Sequence, residues 1–196
     1  MKKFYNIEGM IRNGFKLSRD YETLDFSYAN FSDAAAESLA KSRSIRQVRR
    51  ITISGKKLTA VAAKAFGDSD TMGRLESLKL YKNKIGDEGI KYFAESEKLI
   101  SLKSLRLSWN NIGPQGAKHI ADSTNMTNLT SLTLSENQLG DEGLKYLADA
   151  KSLSSLESLD LRKNQVTDEG AMALSRSKNF PKLQTIDLTD NDLTQK

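Results

Sequence analysis

Apolar and polar positions along this 196-residue chain recur in one frame, L-x-x-L-x-L-x-x-N-x-L, and each copy opens 27 residues after the last. Clear copies open at Leu75, Leu102, Leu129, Leu156 and Leu183, and two weaker ones at Val48 and Tyr21. In the copy at Leu75, Leu78 and Leu80 alternate with Ser77 and Lys79, the two-residue period of a strand with one buried face. Asn83 follows where the chain leaves the sheet, and its amide is placed to satisfy backbone groups of adjacent turns. The same column holds Asn110, Asn137, Asn164 and Asn191, which predicts a stacked ladder.

After Ile85 the chain reads GDEG, and the equivalents are GPQG, GDEG and TDEG. Acids in a first turn complement the helix dipole, Pro114 suits the first helical position, and Ser32, Thr59 and Thr167 are placed as N-caps. A helix is therefore predicted in each copy. Gly89, Gly116, Gly143 and Gly170, with Ala35 and Ala62 before them, are expected to let helix approach strand closely. Phe93, Ile120, Leu147 and Leu174 supply the buried stripe, and Leu99, Met126, Leu153 and Phe180 its exit.

Such a unit buries its apolar face only against neighbours, and a helix on one side makes the stack curve. The expected fold is an α/β right-handed solenoid, a horseshoe arc with a concave parallel sheet and convex helices. Residues 21–196 hold six full repeats and a final strand. Residues 1–20 carry Phe4, Ile7, Met10, Ile11, Phe15 and Leu17 outside the frame and are read as an N-terminal cap, with Gly14 ending a short helix. Lys196 falls where a seventh helix would begin, so either the acidic last strand closes the array or the chain has been shortened.

A period near 27 with this frame is the mark of a leucine-rich repeat. The fuller pattern LxxLxLxxNxIGDEGxxxLA resembles the ribonuclease-inhibitor class of leucine-rich repeats. It is also similar to the leucine-rich-repeat effectors that intracellular bacterial pathogens deliver into host cells. That resemblance implies a bacterial interaction protein working in the cytoplasm, or in the host cytosol if delivered, that inhibits or regulates a partner by masking its active site. Ribonuclease inhibitors are rich in cysteine and this chain has none, so their particular partner is not implied.

Composition narrows the chemistry. The absence of cysteine removes disulfides, thiolate nucleophiles and Cys-based zinc sites. No apolar run approaches the roughly 18 residues of a membrane span, and Asn6, Glu8 and Gly9 interrupt any signal-like segment. With His119 as the single histidine, no Ser/His/Asp or Cys/His set exists, and His119 shares an outer helix column with Tyr92 and Tyr146. Ser77, Ser104, Ser131 and Ser158 read as a polar ladder rather than as nucleophiles. Asp160, Asp187, Asp190 and Asp192 lack the alternating loop of a calcium site. No enzyme activity, cofactor or metal is expected, and the free chain is expected to be monomeric.

The outward columns define the expected working surface. The central strand column runs Asp25, Thr52, Lys79, Arg106, Thr133, Asp160, Asp187, and further along lie Tyr81, Ser108, Ser135 and Arg162, then Lys82, Trp109, Glu136 and Lys163. Lys79, Tyr81, Lys82, Lys84, Arg106 and Trp109 form a basic and aromatic patch, with acids at Asp160 and Asp187 beyond it. Like charges on adjacent strands, Lys79 beside Arg106 and Asp160 beside Asp187, repel, and a partner of opposite charge would relieve both pairs. Trp109 is the single tryptophan, and Trp, Tyr and Arg are the commonest interface anchors. The plainer alternative lays Trp109 on Tyr81 or the Lys82 stem. A folded protein partner on the concave face, contacting these residues with Arg162 and Lys163, is therefore expected. The alternative is a nucleic acid or anionic surface bound by the Lys79, Arg106 and Lys82 cations beside Tyr81 and Trp109. A net charge of +5 favours that alternative only slightly, and the acidic strands oppose it.

Overall fold

The computed structural model describes residues 6–194. Helix α1 (Ile7–Ser18) precedes seven three-residue strands: β1 (Thr23–Asp25), β2 (Arg50–Thr52), β3 (Ser77–Lys79), β4 (Ser104–Arg106), β5 (Ser131–Thr133), β6 (Ser158–Asp160) and β7 (Thr185–Asp187). Between them run α2 (Asp33–Lys41), α3 (Ala60–Gly67), α4 (Gly86–Glu95), α5 (Pro114–Asp122), α6 (Gly140–Ala148) and α7 (Asp168–Ser175). The strands lie in chain order in one open, parallel sheet. Register follows the sequence period, so Lys79 pairs with Arg106, Arg106 with Thr133, and Asp160 with Asp187. The array is an α/β leucine-rich-repeat solenoid.

Its core is a continuous ladder. Leu78, Leu80, Leu105, Leu107, Leu132 and Leu134 point to one side of the sheet and are buried, facing Ile90, Phe93, Ile120, Leu144 and Leu147 from the helices. Phe180 is only half-buried, because β7 is an edge strand covered on one side.

The asparagine ladder forms as predicted. Asn137 Nδ2 donates to the carbonyls of Leu107 (3.0 Å), Leu134 (2.8 Å) and Ser135 (3.2 Å), and its Oδ1 accepts from the N–H groups of Asn110 (2.9 Å) and Ile112 (3.1 Å). One side chain thereby closes its own turn and fastens the preceding one. The turns alternate, however, in a way the uniform period hides. Asn83, Asn137 and Asn191 each accept two backbone N–H groups from the repeat before, whereas Asn110 and Asn164 accept one. Lys57, Asn111 and Gln165 are left-handed, with φ of +60°, +56° and +59°. In the intervening repeats the left-handed residue comes two places later, at Gly86 and Gly140, with φ of +63° and +57°.

Carboxylates add a second set of links. Asp33 accepts from the N–H and hydroxyl of Thr59, Asp87 from the N–H of Gly113, and Asp141 from the N–H and hydroxyl of Thr167. Asp168 holds Thr194 in the same manner. The first-turn acids thus cap the turn of the next repeat. The Thr167 hydroxyl is the main reason the Asp141 carboxyl lies below its ordinary range, aided by the N–H groups of Thr167 and Gly170 and opposed by burial. Thr59 and Thr167 also cap their own helices, while Ser32 sits at its N-cap without a side-chain bond.

Two expectations about glycine change. The first-turn column serves helix-to-helix rather than helix-to-strand approach: a methyl at Gly89 would meet Ala63 Cβ at 3.2 Å, and one at Gly170 would meet Asp141 Cα at 2.9 Å. Successive helices pack against one another at these positions. Gly14 does not end a helix. It is buried inside α1, where a Cβ would reach Leu24 Cδ2 at 2.7 Å, and Arg19 ends the helix in a left-handed conformation. Helix α1 lies against the first repeat through buried Ile11, and Glu8 accepts from the hydroxyls of Ser42 (2.6 Å) and Ser44 (2.7 Å). Those two hydroxyls pull the Glu8 carboxyl below its ordinary range. Phe4 lies outside the described residues.

Candidate functional site

The strand faces opposite the helices enclose a trough of about 780 Å³. Its lining draws on six of the seven strand segments, from Ser54 after β2 to Thr189 after β7, which requires that face to be concave. Seven strands at about 4.8 Å spacing span roughly 29 Å, the width of a small domain's edge.

Lys79, Tyr81, Arg106, Asp160, Arg162 and Asp187 come together in this trough. Trp109, Lys82, Lys84 and Lys163 do not line it; they belong to the turns at its rim. The rim has a cause in the backbone. Gly55, Lys82, Trp109, Glu136, Lys163 and Asp190 share one column, and each is left-handed, with φ of +68°, +55°, +57°, +57°, +52° and +58°. The chain reverses there to leave the sheet, and side chains at such a turn project away from the core. Glycine adopts this conformation most easily, and Gly55 is the one glycine in the column. The sequence carried that single signal of the turn.

Trp109 is 46% exposed. The Lys82 Nζ lies over its ring, 5.9 Å from the centroid. Tyr81, 45% exposed, offers its ring to the trough. Ser108 and Ser135, expected on the open surface, are buried and share a hydrogen bond of 2.8 Å between their hydroxyls. Small residues two places beyond the central column sink into the floor because the strands end there and the turn folds over them.

The acidic strands are not the free, mutually repelling pair that the columns suggested. Arg162 reaches back from two positions along β6 and donates to Asp160 through Nε at 3.0 Å and Nη2 at 2.8 Å, while its Nε lies 3.4 Å from Asp187. The bonds to Asp160 chiefly, and its charge, raise the Arg162 pKa still further. The Asp187 carboxyl is lowered first by the Thr189 hydroxyl, then by the Thr189 N–H, with Arg162 adding to it. Neither side-chain rotamer is visible in a one-dimensional column.

Among the described residues, no group of three or more His, Cys, Asp or Glu side chains is arranged to hold a metal ion. None of their helices is long and apolar enough to cross a membrane.

A family model described as Leucine Rich repeat matches residues 75–94, 98–121, 125–148 and 152–175. Over those residues the chain is built of leucine-rich repeats. Among solved structures, it is similar to InlP of Listeria monocytogenes, at 21% identity and a TM-score of 0.64, covering 88% of this chain and 44% of that one. It is also similar to an internalin, inlF, from Listeria monocytogenes str. 4b F2365, at 26% identity and a TM-score of 0.51, covering 78% of this chain and 38% of that one. The chain spans less than half the length of either. No curated protein sequence matches it. The repeats support a protein–protein interaction module.

Proposed function

We propose that this chain is a non-enzymatic module that docks a folded protein on its concave face and regulates that partner by covering its active site. The observation that carries this reading is the trough, in which Lys79, Tyr81, Arg106, Asp160, Arg162 and Asp187 converge. Aromatic and arginine side chains on a broad concavity suit an interface with a few strong anchors. Trp109 with Lys82, then Lys84 and Lys163, form a rim that a convex partner meets as it seats. The resemblance to bacterial effector repeats supports a reading in which the chain works in the cytoplasm, or in the host cytosol if it is delivered there.

Site-specific photo-crosslinking tests the face directly. A benzoylphenylalanine replacing Thr133 in the trough should capture partner protein, and one replacing the exposed Gln115 on α5 should not. Adducts from the helix position alone would overturn the assignment.

A further inference from the structure

The central column of the trough carries charge in the order Lys79, Arg106, Thr133, Asp160, Asp187, two cations and two anions on either side of a neutral threonine. The anionic pair has a counter-ion within the chain, since Arg162 spans Asp160 and Asp187 at 2.8 and 3.4 Å. The cationic pair has none. Among the described residues, no carboxylate lies within 4.0 Å of the Lys79 amine or the Arg106 guanidinium. The positions that would supply one, two places along β3 and β4 as Arg162 stands to Asp160, are Tyr81 and Ser108. Tyr81 offers a hydroxyl rather than a carboxylate, and Ser108 is buried against Ser135.

We propose that Lys79 and Arg106 form a seat for a side-chain carboxylate from an acidic segment of the partner protein. This rests on the reading of the concave face as the docking surface and names the chemistry of what docks there. Adjacent strands lie about 4.8 Å apart, so one carboxylate can accept from both cations, one oxygen to each. The arrangement is the charge-reversed counterpart of Arg162 between its two aspartates. A phosphate backbone is disfavoured in the same place. A strand of nucleic acid following the trough would lie directly on Asp160 and Asp187, two to three strands away at about 10–15 Å, whose two negative charges Arg162 only half offsets.

Isotope-labelled protein titrated with an acetylated, amidated tetraglutamate peptide tests the seat. Amide shifts should be largest at residues 79–81 and 106–108, and affinity should fall about ten-fold or more in the Lys79→Gln/Arg106→Gln variant. Arg106→Gln alone carries the same test if the double variant folds poorly, because Arg106 is exposed. Equal titration of variant and parent, or shifts centred elsewhere, would overturn the proposal. So would a thymidine oligonucleotide or inorganic phosphate binding these residues as tightly as the peptide. Failure here is separable from failure of the docking face: crosslinks from Thr133 would persist and be unchanged by the substitutions, whereas a wrong face gives no crosslink from Thr133 at all.

Discussion

Replacing Asn137 with alanine removes five hydrogen bonds in the middle of the array while deleting few apolar contacts. Its Oδ1 is the acceptor for the N–H groups of Asn110 and Ile112, and all three residues are buried. A buried donor stripped of its acceptor loses about 1–3 kcal/mol, so the two N–H groups alone imply about 2–6 kcal/mol. The carbonyls of Leu134 and Ser135 retain other donors, from Asn164 Nδ2 and the Trp109 N–H, which argues for the middle of that interval, about 3–5 kcal/mol. Urea unfolding followed by circular dichroism measures the loss. Because each repeat contacts only its neighbours, the same substitution should also split the transition between residues before and after β5. Hydrogen exchange gives a local readout, with amides 110 and 112 losing protection beyond the global loss. A destabilisation under about 1 kcal/mol, with those two amides still protected, would refute the idea that the ladder fastens one repeat to the next.

Trp109→Gly should leave the fold as stable as the parent or more so, since φ at Trp109 is +57° and the left-handed region costs other residues about 1–2 kcal/mol; it should still weaken partner binding by about 2 kcal/mol, read by thermal melting and calorimetric titration. Gly170→Ala should destabilise by about 1–3 kcal/mol in chemical denaturation despite alanine's better helix propensity, because the added carbon falls 2.9 Å from Asp141 Cα. Thr167→Val concerns pH. The folded Asp141 carboxyl is lowered, so its contribution is complete above the ordinary carboxylate range and is lost as pH falls through that range and below. The stability gap between parent and Thr167→Val should therefore narrow below about pH 4 in acid titrations, and a gap independent of pH would exclude this role.

Register, helix positions and the asparagine ladder were legible because each depends on spacing alone. A residue such as Asn137 recurs at a fixed offset, and a parallel sheet converts that offset into vertical alignment. The central column of the candidate site was legible for the same reason: Lys79, Arg106, Asp160 and Asp187 stack as the period requires. The bridging role of Arg162 escaped, though the residue itself did not, because it depends on which way a long side chain turns, and turning back towards β6 converts two repelling carboxylates into a bridged pair. The burial of Ser108 and Ser135 escaped because alternation holds only while the strand lasts, and each strand lasts three residues. Gly14 misled because glycine both ends helices and permits close packing, and only contact with Leu24 decides between them.

The alternating turns bear on how such an array changes length. Asp33, Asp87 and Asp141 each clamp a repeat with left-handed Lys57, Asn111 or Gln165, while the intervening repeats turn on Gly86 and Gly140. Excising residues 86–112 would join Ile85 to Gly113, break the alternation and set two turns of like kind in succession. Excising residues 86–139 would join Ile85 to Gly140, restoring the turn that was there. The longer deletion is therefore expected to melt as one cooperative array and the shorter one to fray at the junction. By this logic, insertion and loss proceed in pairs of repeats, and a lineage of such chains would differ in size by even steps.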